Sequence, residues 1–175
     1  NVSCVDTNPK QIEKIKLRFK NVECFLSLEE SFKKKFSGYI IATPPSTHAE
    51  LAKKVISIKK PVLVEKPLSL SLSESKKIKS TLKRYDGQLI VGHSLLFHPA
   101  IQKIKSMIKQ GKIGKIQYIY SNRLNLGTVR KQENVFWSFA PHDISIFQYF
   151  SKSFPSNILS MGSDILQKNI HDTTI

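Results

Sequence analysis

From Asn1 to Gly92 the chain alternates short apolar runs with longer stretches whose apolar residues recur every three or four positions. Asn1–Val5, Val22–Phe25, Gly38–Ala42, Pro61–Val64 and Gln88–Gly92 read as strands. Between them, Ile12, Ile15 and Phe19 mark one helical stripe, and a short helix is expected from about Ser27 to Lys35. Leu51, Val55 and Ile56 mark a third helix, and a fourth runs from Ser71 to about Arg84. Thr7-Asn8-Pro9 has the composition of a cap with proline at the first helical position, and Thr47/Glu50 and Ser71/Glu74 have capping-box spacing. Strands alternating with helices of this length predict βαβ units and a parallel sheet.

The fourth run, Pro61-Val62-Leu63-Val64-Glu65-Lys66-Pro67, is the most informative. Its uncharged, β-branched start predicts a strand buried on both faces, and Pro67 ends further ladder pairing. Open parallel sheets bind ligands just beyond the carboxyl ends of their strands. Right-handed crossovers place Asp6, Thr43-Pro44-Pro45, Glu65-Lys66-Pro67 and His93 on that one edge. A lysine delivered there on a rigid strand has the chemistry to move protons. Taken alone, Glu65 and Lys66 read more readily as a charged pair solvating a strand end than as a site.

After His93 the pattern changes. Pro99 opens a periodic helix (Ile101, Ile104, Met107, Ile108) that stops at Gly111. Lys115–Leu124 alternates as a longer strand covered on one face only. A polar loop leads to Phe136-Trp137-Ser138-Phe139, and Pro141 is expected to start a helix carrying His142 and Asp143 in its first turn. A strand near Asn157–Met161 and a polar tail follow. The predicted division is a first domain over residues 1–95 and a second over 96–175, with no internal repeat.

Composition narrows the function classes. At 175 residues and 40% hydrophobic content the chain is long enough to bury a core. No run approaches the length of a membrane span, and no leader pattern is present, so a cytoplasmic location without membrane partners is expected. Cys4 and Cys24 lie in apolar runs without metal-ligand spacing, so two buried thiols and no metal site are expected. The 28 basic residues outnumber 13 acidic ones, for a net charge of +15. The lysines are spread over several predicted helix faces and are not interleaved with aromatics, which argues against a nucleic-acid partner.

Four ordered signatures carry a family resemblance: Ala42-Thr43-Pro44-Pro45-Ser46-Thr47-His48, Val64-Glu65-Lys66-Pro67, Gly111-Lys112-Ile113-Gly114 and Ala140-Pro141-His142-Asp143. Together they resemble the Gfo/Idh/MocA family of NAD(P)-dependent oxidoreductases. The resemblance implies a Rossmann-type parallel sheet followed by an α+β domain with an open, mostly antiparallel sheet. It implies NAD (or NADP) as cofactor and a secondary alcohol of a sugar, nucleotide sugar or cyclitol as substrate. Carried over by position, Lys66 and His142 would be catalytic. Asp6, Thr43, Pro44, Pro45, His48, Glu65 and Lys66 would bind cofactor, and Asp6 would favour NAD because a carboxylate repels a 2′-phosphate. His93, Arg123, Asn125 and Asp143 would meet substrate. For Asp6 a helix-entry cap, and for His48 a structural first-turn histidine, are the plain alternatives. Homo-oligomers through the second-domain sheet are implied as well.

Three departures from the family pattern stand out. Ser138 occupies the place, four residues before the histidine, where the family often has aspartate. Leu95 and Leu96 precede Phe97 where an arginine is common. No glycine precedes Gly38, so the first strand and the Gly-rich phosphate turn are missing. These departures lead to the expectation of an internal piece of a protein about twice as long, with poor dinucleotide binding on its own. The alternative functions are a non-catalytic dinucleotide-binding relative and a basic nucleic-acid binder.

Overall fold

The computed structural model describes residues 2–124, 129 and 133–175. Strands and helices alternate as β1 (Ser3–Val5), α1 (Pro9–Arg18), β2 (Glu23–Phe25), α2 (Leu28–Ser31), β3 (Tyr39–Ile41), α3 (Pro45–Ser57), β4 (Val62–Glu65), α4 (Leu72–Tyr85) and β5 (Leu89–Gly92). All pairings among these strands are parallel. β4 lies between β3 and β5, while β1 pairs with β2. Among the described residues no strand joins β1 to β3, so the five strands form a pair and a triplet. In the Rossmann strand order 3-2-1-4-5-6, that division falls at the central strand.

The core lies on one face of the triplet. Ile41, Val62 and Val64 from the strands meet Ala49, Ala52, Val55 and Ile56 of α3 and Ile78 of α4. The small Ala49 and Ala52 let α3 approach the sheet closely. Where α4 turns into β5, Asp86 takes a left-handed conformation with φ of 51°. Gly87 follows because a Cβ there would lie 2.6 Å from Ile56 Cγ2. The opposite face corrects the expectation of a β4 buried on both sides. Leu63 is in register with Ile40 and Ile90, which are 75% and 65% exposed. α3 and α4 both pack on the Val62/Val64 side, so burial follows the pleat and alternates.

Several local expectations are corrected. α3 begins at Pro45, with Pro44 as its cap, so Thr47 lies inside the first turn and no capping box forms with Glu50. Glu50 pairs instead with Lys53 on the same helix. α2 holds only Leu28–Ser31, after which Phe32, Lys33 and Lys34 donate to carbonyls three residues back, a tighter winding than an α-helix. Cys4 and Cys24 are half-buried and stand opposite each other across β1 and β2.

Beyond β5, a 3₁₀ turn (Ser94–Phe97) leads into α5 (Pro99–Lys109), capped by His98 Nδ1, which accepts from Ala100 N–H. Lys115–Leu124 does not form the expected strand: it has no ladder partner among the described residues. Alternation specifies which side chains share a face but not what pairs with the backbone. Tyr118 and Tyr120 keep that shared face, their rings stacking 6.3 Å apart.

The next helix, α6 (Val135–Ser151), starts six residues earlier than proline chemistry predicts, with Asn134 accepting from Trp137 N–H as its cap. Pro141 therefore lies inside the helix. The expected strand near Asn157–Met161 is displaced to β6 (Gly162–Ser163), antiparallel to β7 (Thr173–Thr174) in the segment read as a polar tail. Met161 and Ile175 extend that ladder by exchanging N–H···O bonds of 2.9 Å each. No helix among the described residues is long and apolar enough to cross a membrane.

Candidate functional site

The carboxyl ends of the strands supply the first half of the site. After β1, Asp6 Oδ1 accepts from Asn8 N–H at 2.8 Å, and Asn8 in turn caps α1. The carboxylate thus shapes the turn into the helix. After β3, the Thr47 hydroxyl donates to Pro44 O at 2.8 Å, so its 2.6 Å contact with Thr43 Oγ1 takes the proton from Thr43. His48, one residue further along α3, is only 1% exposed. Its Nε2 lies 2.7 Å from Thr43 O and its Nδ1 2.8 Å from Pro67 O. The ring therefore spans the ends of β3 and β4.

After β4, the Glu65 carboxylate lies over Gly92, the last residue of β5. A Cβ on Gly92 would come within 3.1 Å of Glu65 Oε2, and that oxygen accepts from Lys66 N–H at 3.3 Å. The Lys66–Pro67 peptide is cis.

The second half of the site comes from α6. Pro141 has no N–H to donate to Trp137 O, so that carbonyl lacks its usual partner four residues on within the helix. Lys66 Nζ reaches across and donates to the next carbonyl, Ser138 O, at 2.8 Å. His142 stands one turn along α6 from Ser138, so Lys66 and His142 come to one place. The Nδ1 atoms of His142 and His93 are both buried with no hydrogen-bond partner among the described residues. Burial, the chief cause, holds His142 below the ordinary histidine range, and Lys66, Arg123 and His93 add to it, with Asp143 opposing. Burial likewise lowers His93. Both imidazoles are thus held neutral, each with an unpartnered buried nitrogen, an arrangement suited to taking a proton from a polar ligand.

Arg123 and Asp143 engage each other. Arg123 Nε donates to Asp143 Oδ2 at 2.5 Å, and Ser121 Oγ donates to Asp143 Oδ1 at 2.9 Å. Ser121 was not anticipated, although its spacing of two from Arg123 places both on one face of an alternating run. Gly92 and the Ser138 carbonyl also escaped sequence reasoning, since neither has a side-chain functional group at the point of contact. Asn125 lies outside the described residues. Among the described residues, no group of three His, Cys, Asp or Glu side chains could hold a metal ion.

A family model described as an oxidoreductase family with an NAD-binding Rossmann fold matches residues 2–93, over half of the chain. The chain belongs to the Gfo/Idh/MocA oxidoreductase family. Among curated Gfo/Idh/MocA relatives, scyllo-inositol 2-dehydrogenase (NAD(+)) of Bacillus subtilis is 34% identical over 115 residues, covering 63% of this chain and 34% of that protein. The 1-carboxy-3-chloro-3,4-dihydroxycyclohexa-1,5-diene dehydrogenase of Comamonas testosteroni is 31% identical over 121 residues, covering 69% of this chain and 30% of that protein. The chain spans 30–38% of the length of such relatives.

In fold, the chain is similar to the WlbA dehydrogenase of Bordetella pertussis, solved with NADH and UDP-GlcNAcA. The TM-score is 0.79 at 19% identity, covering 97% of this chain and 57% of that one. It is also similar to scyllo-inositol dehydrogenase of Lactobacillus casei, solved with NAD(H) and scyllo-inositol, with a TM-score of 0.77 at 15% identity, covering 96% of this chain and 53% of that one.

NAD is the cofactor of this Gfo/Idh/MocA fold. The residues present suit its nicotinamide and ribose parts: polar and proline-shaped strand ends, a lysine, and buried imidazole nitrogens awaiting a partner. No glycine precedes Gly38 in these residues.

Proposed function

We propose that the protein is an NAD(P)-dependent dehydrogenase acting on a secondary alcohol of a sugar, nucleotide sugar or cyclitol. The observation that carries this reading is the Lys66 Nζ–Ser138 O bond, which brings the strand-end lysine to the helix turn preceding His142. When bound, nicotinamide supplies the hydride-accepting ring. His142, held neutral by burial and neighbouring cations, takes the proton of the reacting hydroxyl. Lys66 orients that hydroxyl and disfavours a second positive charge on His142, which therefore gives the proton up to solvent. Thr43, Pro44, Pro45 and Glu65 line the cofactor side, and Asp6 holds the adenosine ribose and selects NAD. His93, Arg123, Asn125 and Asp143 face the substrate. Residues 1–95 serve the cofactor and 96–175 the substrate.

Four observations support this reading: family membership, the convergence of strand ends, the two orphaned imidazole nitrogens, and named dehydrogenases among the relatives. Ser138 favours a second reading, a non-catalytic dinucleotide-binding relative, because a hydroxyl cannot stabilise an imidazolium as a carboxylate does.

Hydride transfer by the protein made from its complete gene, against a panel of cyclitols, sugars and nucleotide sugars, separates the two. Turnover should fall by about 10²–10⁴ in Lys66→Ala and in His142→Ala. NADH binding without turnover on any member, with Lys66→Ala indistinguishable from the parent, would sink the enzyme reading.

A further inference from the structure

We propose that His48 is the positioning residue for Lys66: by bridging the Thr43 and Pro67 carbonyls it holds the β3 and β4 strand ends, and with them the lysine, in their working geometry. The proposal rests on the reading of Lys66 as the residue that meets the reacting hydroxyl. The physical problem it answers is local. The β3–β4 ladder has its last registered pair at Ile41 and Val64. Beyond it Pro67 has no N–H to offer, and the carbonyls of Thr43 and Pro67 are both acceptors, which cannot bond to each other. An imidazole lies with a nitrogen against each oxygen, at 2.7 and 2.8 Å, in place of the missing ladder; a neutral ring donates to one of the two carbonyls and a protonated ring to both.

The brace has a rigid mount. His48 is fully enclosed, and the next residues along α3, Ala49 and Ala52, are packed into the core. Pro67 is also buried. The residue immediately before it is Lys66, whose ammonium is received 72 residues away on α6. A shift of the β4 end therefore moves the lysine relative to His142. A ring so enclosed has no free nitrogen for a dinucleotide, so its effect on catalysis passes through the two loops.

The test compares His48→Leu, which keeps bulk but removes both ring nitrogens, with His48→Gln, which keeps a donor amide. Both are made in the protein from its complete gene, and kcat, the KM for NAD and the melting temperature are measured. The expected result for His48→Leu is a kcat loss of about 10²-fold, the cost of an ångström-scale misplacement, with the KM for NAD unchanged. His48→Gln should recover most of the kcat. A raised KM for NAD with unchanged kcat would make His48 a cofactor contact and overturn the proposal. A lower melting temperature with unchanged kcat per folded molecule would make it a space-filler and overturn it too.

A second readout does not depend on turnover. Lysines are reductively methylated with ¹³C, and the Lys66 signal is assigned by its loss in Lys66→Arg. That signal should move in His48→Leu and return towards its original position in His48→Gln. If no panel member is oxidised, the dehydrogenase reading fails while this spectrum still decides. An unmoved Lys66 signal in His48→Leu refutes the brace.

Discussion

Replacing Gly92 by alanine isolates the contact between the Glu65 carboxylate and the end of β5. An added Cβ would sit 3.1 Å from Glu65 Cδ and Oε2 and 3.2 Å from Oε1. The neighbour must give by a few tenths of an ångström, and the carboxylate, at the end of a side chain, is the part able to yield. Its 3.3 Å bond from Lys66 N–H is then lost, at about 1 kcal/mol. Alanine returns about 0.4–1 kcal/mol over glycine by reducing the freedom of the unfolded chain. The two effects nearly cancel, so the melting temperature should move by no more than about 2 °C. Function should not be spared. If Glu65 meets the cofactor, loss of about 1 kcal/mol there raises the KM for NAD roughly fivefold.

The assays are thermal unfolding by circular dichroism and steady-state kinetics. The control is the same substitution in a Glu65→Asp background, where the shortened side chain withdraws from Gly92 and the alanine should be silent. A fivefold effect persisting in that background, or a melting drop of about 10 °C, would refute the reasoning.

The acid limb of kcat/KM should inflect below 6.5, because burial and the Lys66 and Arg123 cations hold His142 down; an inflection above 6.5 contradicts its assignment as base. Stability has the same sign. The unfolded chain protonates its histidines near 6.5 while the fold resists it at His93 and His142, so urea midpoints should fall as pH drops below that value. Val64→Ala removes two carbons from a fully buried site and should cost about 2–3 kcal/mol in urea denaturation; a cost under about 0.5 kcal/mol would show that the core sits elsewhere.

Much of the first 92 residues was legible because local rules and the tertiary arrangement agree there. Proline at the first helical position, capping by Ser71, and β-branched runs each named an element that formed. The second half was less legible. Pro141 read as a helix start because proline is tolerated at the first turn. Yet Asn134 supplied a better cap six residues earlier, and packing kept the helix intact through the proline. The alternating run 115–124 named a face without naming a partner. The segment read as a polar tail folds back, and His171 O accepts from Val135 N–H at the start of α6.

By itself the sequence determined the order of elements, the edge on which Asp6, Thr43, Glu65, Lys66 and His93 gather, and the four family signatures. The first two follow from periodicity and chain chirality, which are local, and the signatures from residue identity and order alone. Only the tertiary structure decided that Lys66 is received by the carbonyl turn before His142, that Arg123 and Ser121 hold Asp143, and that His48 is enclosed between two strand ends. Those contacts join residues up to 72 positions apart, and at two of them the partner is a backbone carbonyl. Every residue has such a carbonyl, so no side-chain pattern reveals which one will be used. Packing of α3 against β3 and β4, and of α6 against α5 and the turn after β5, makes that choice.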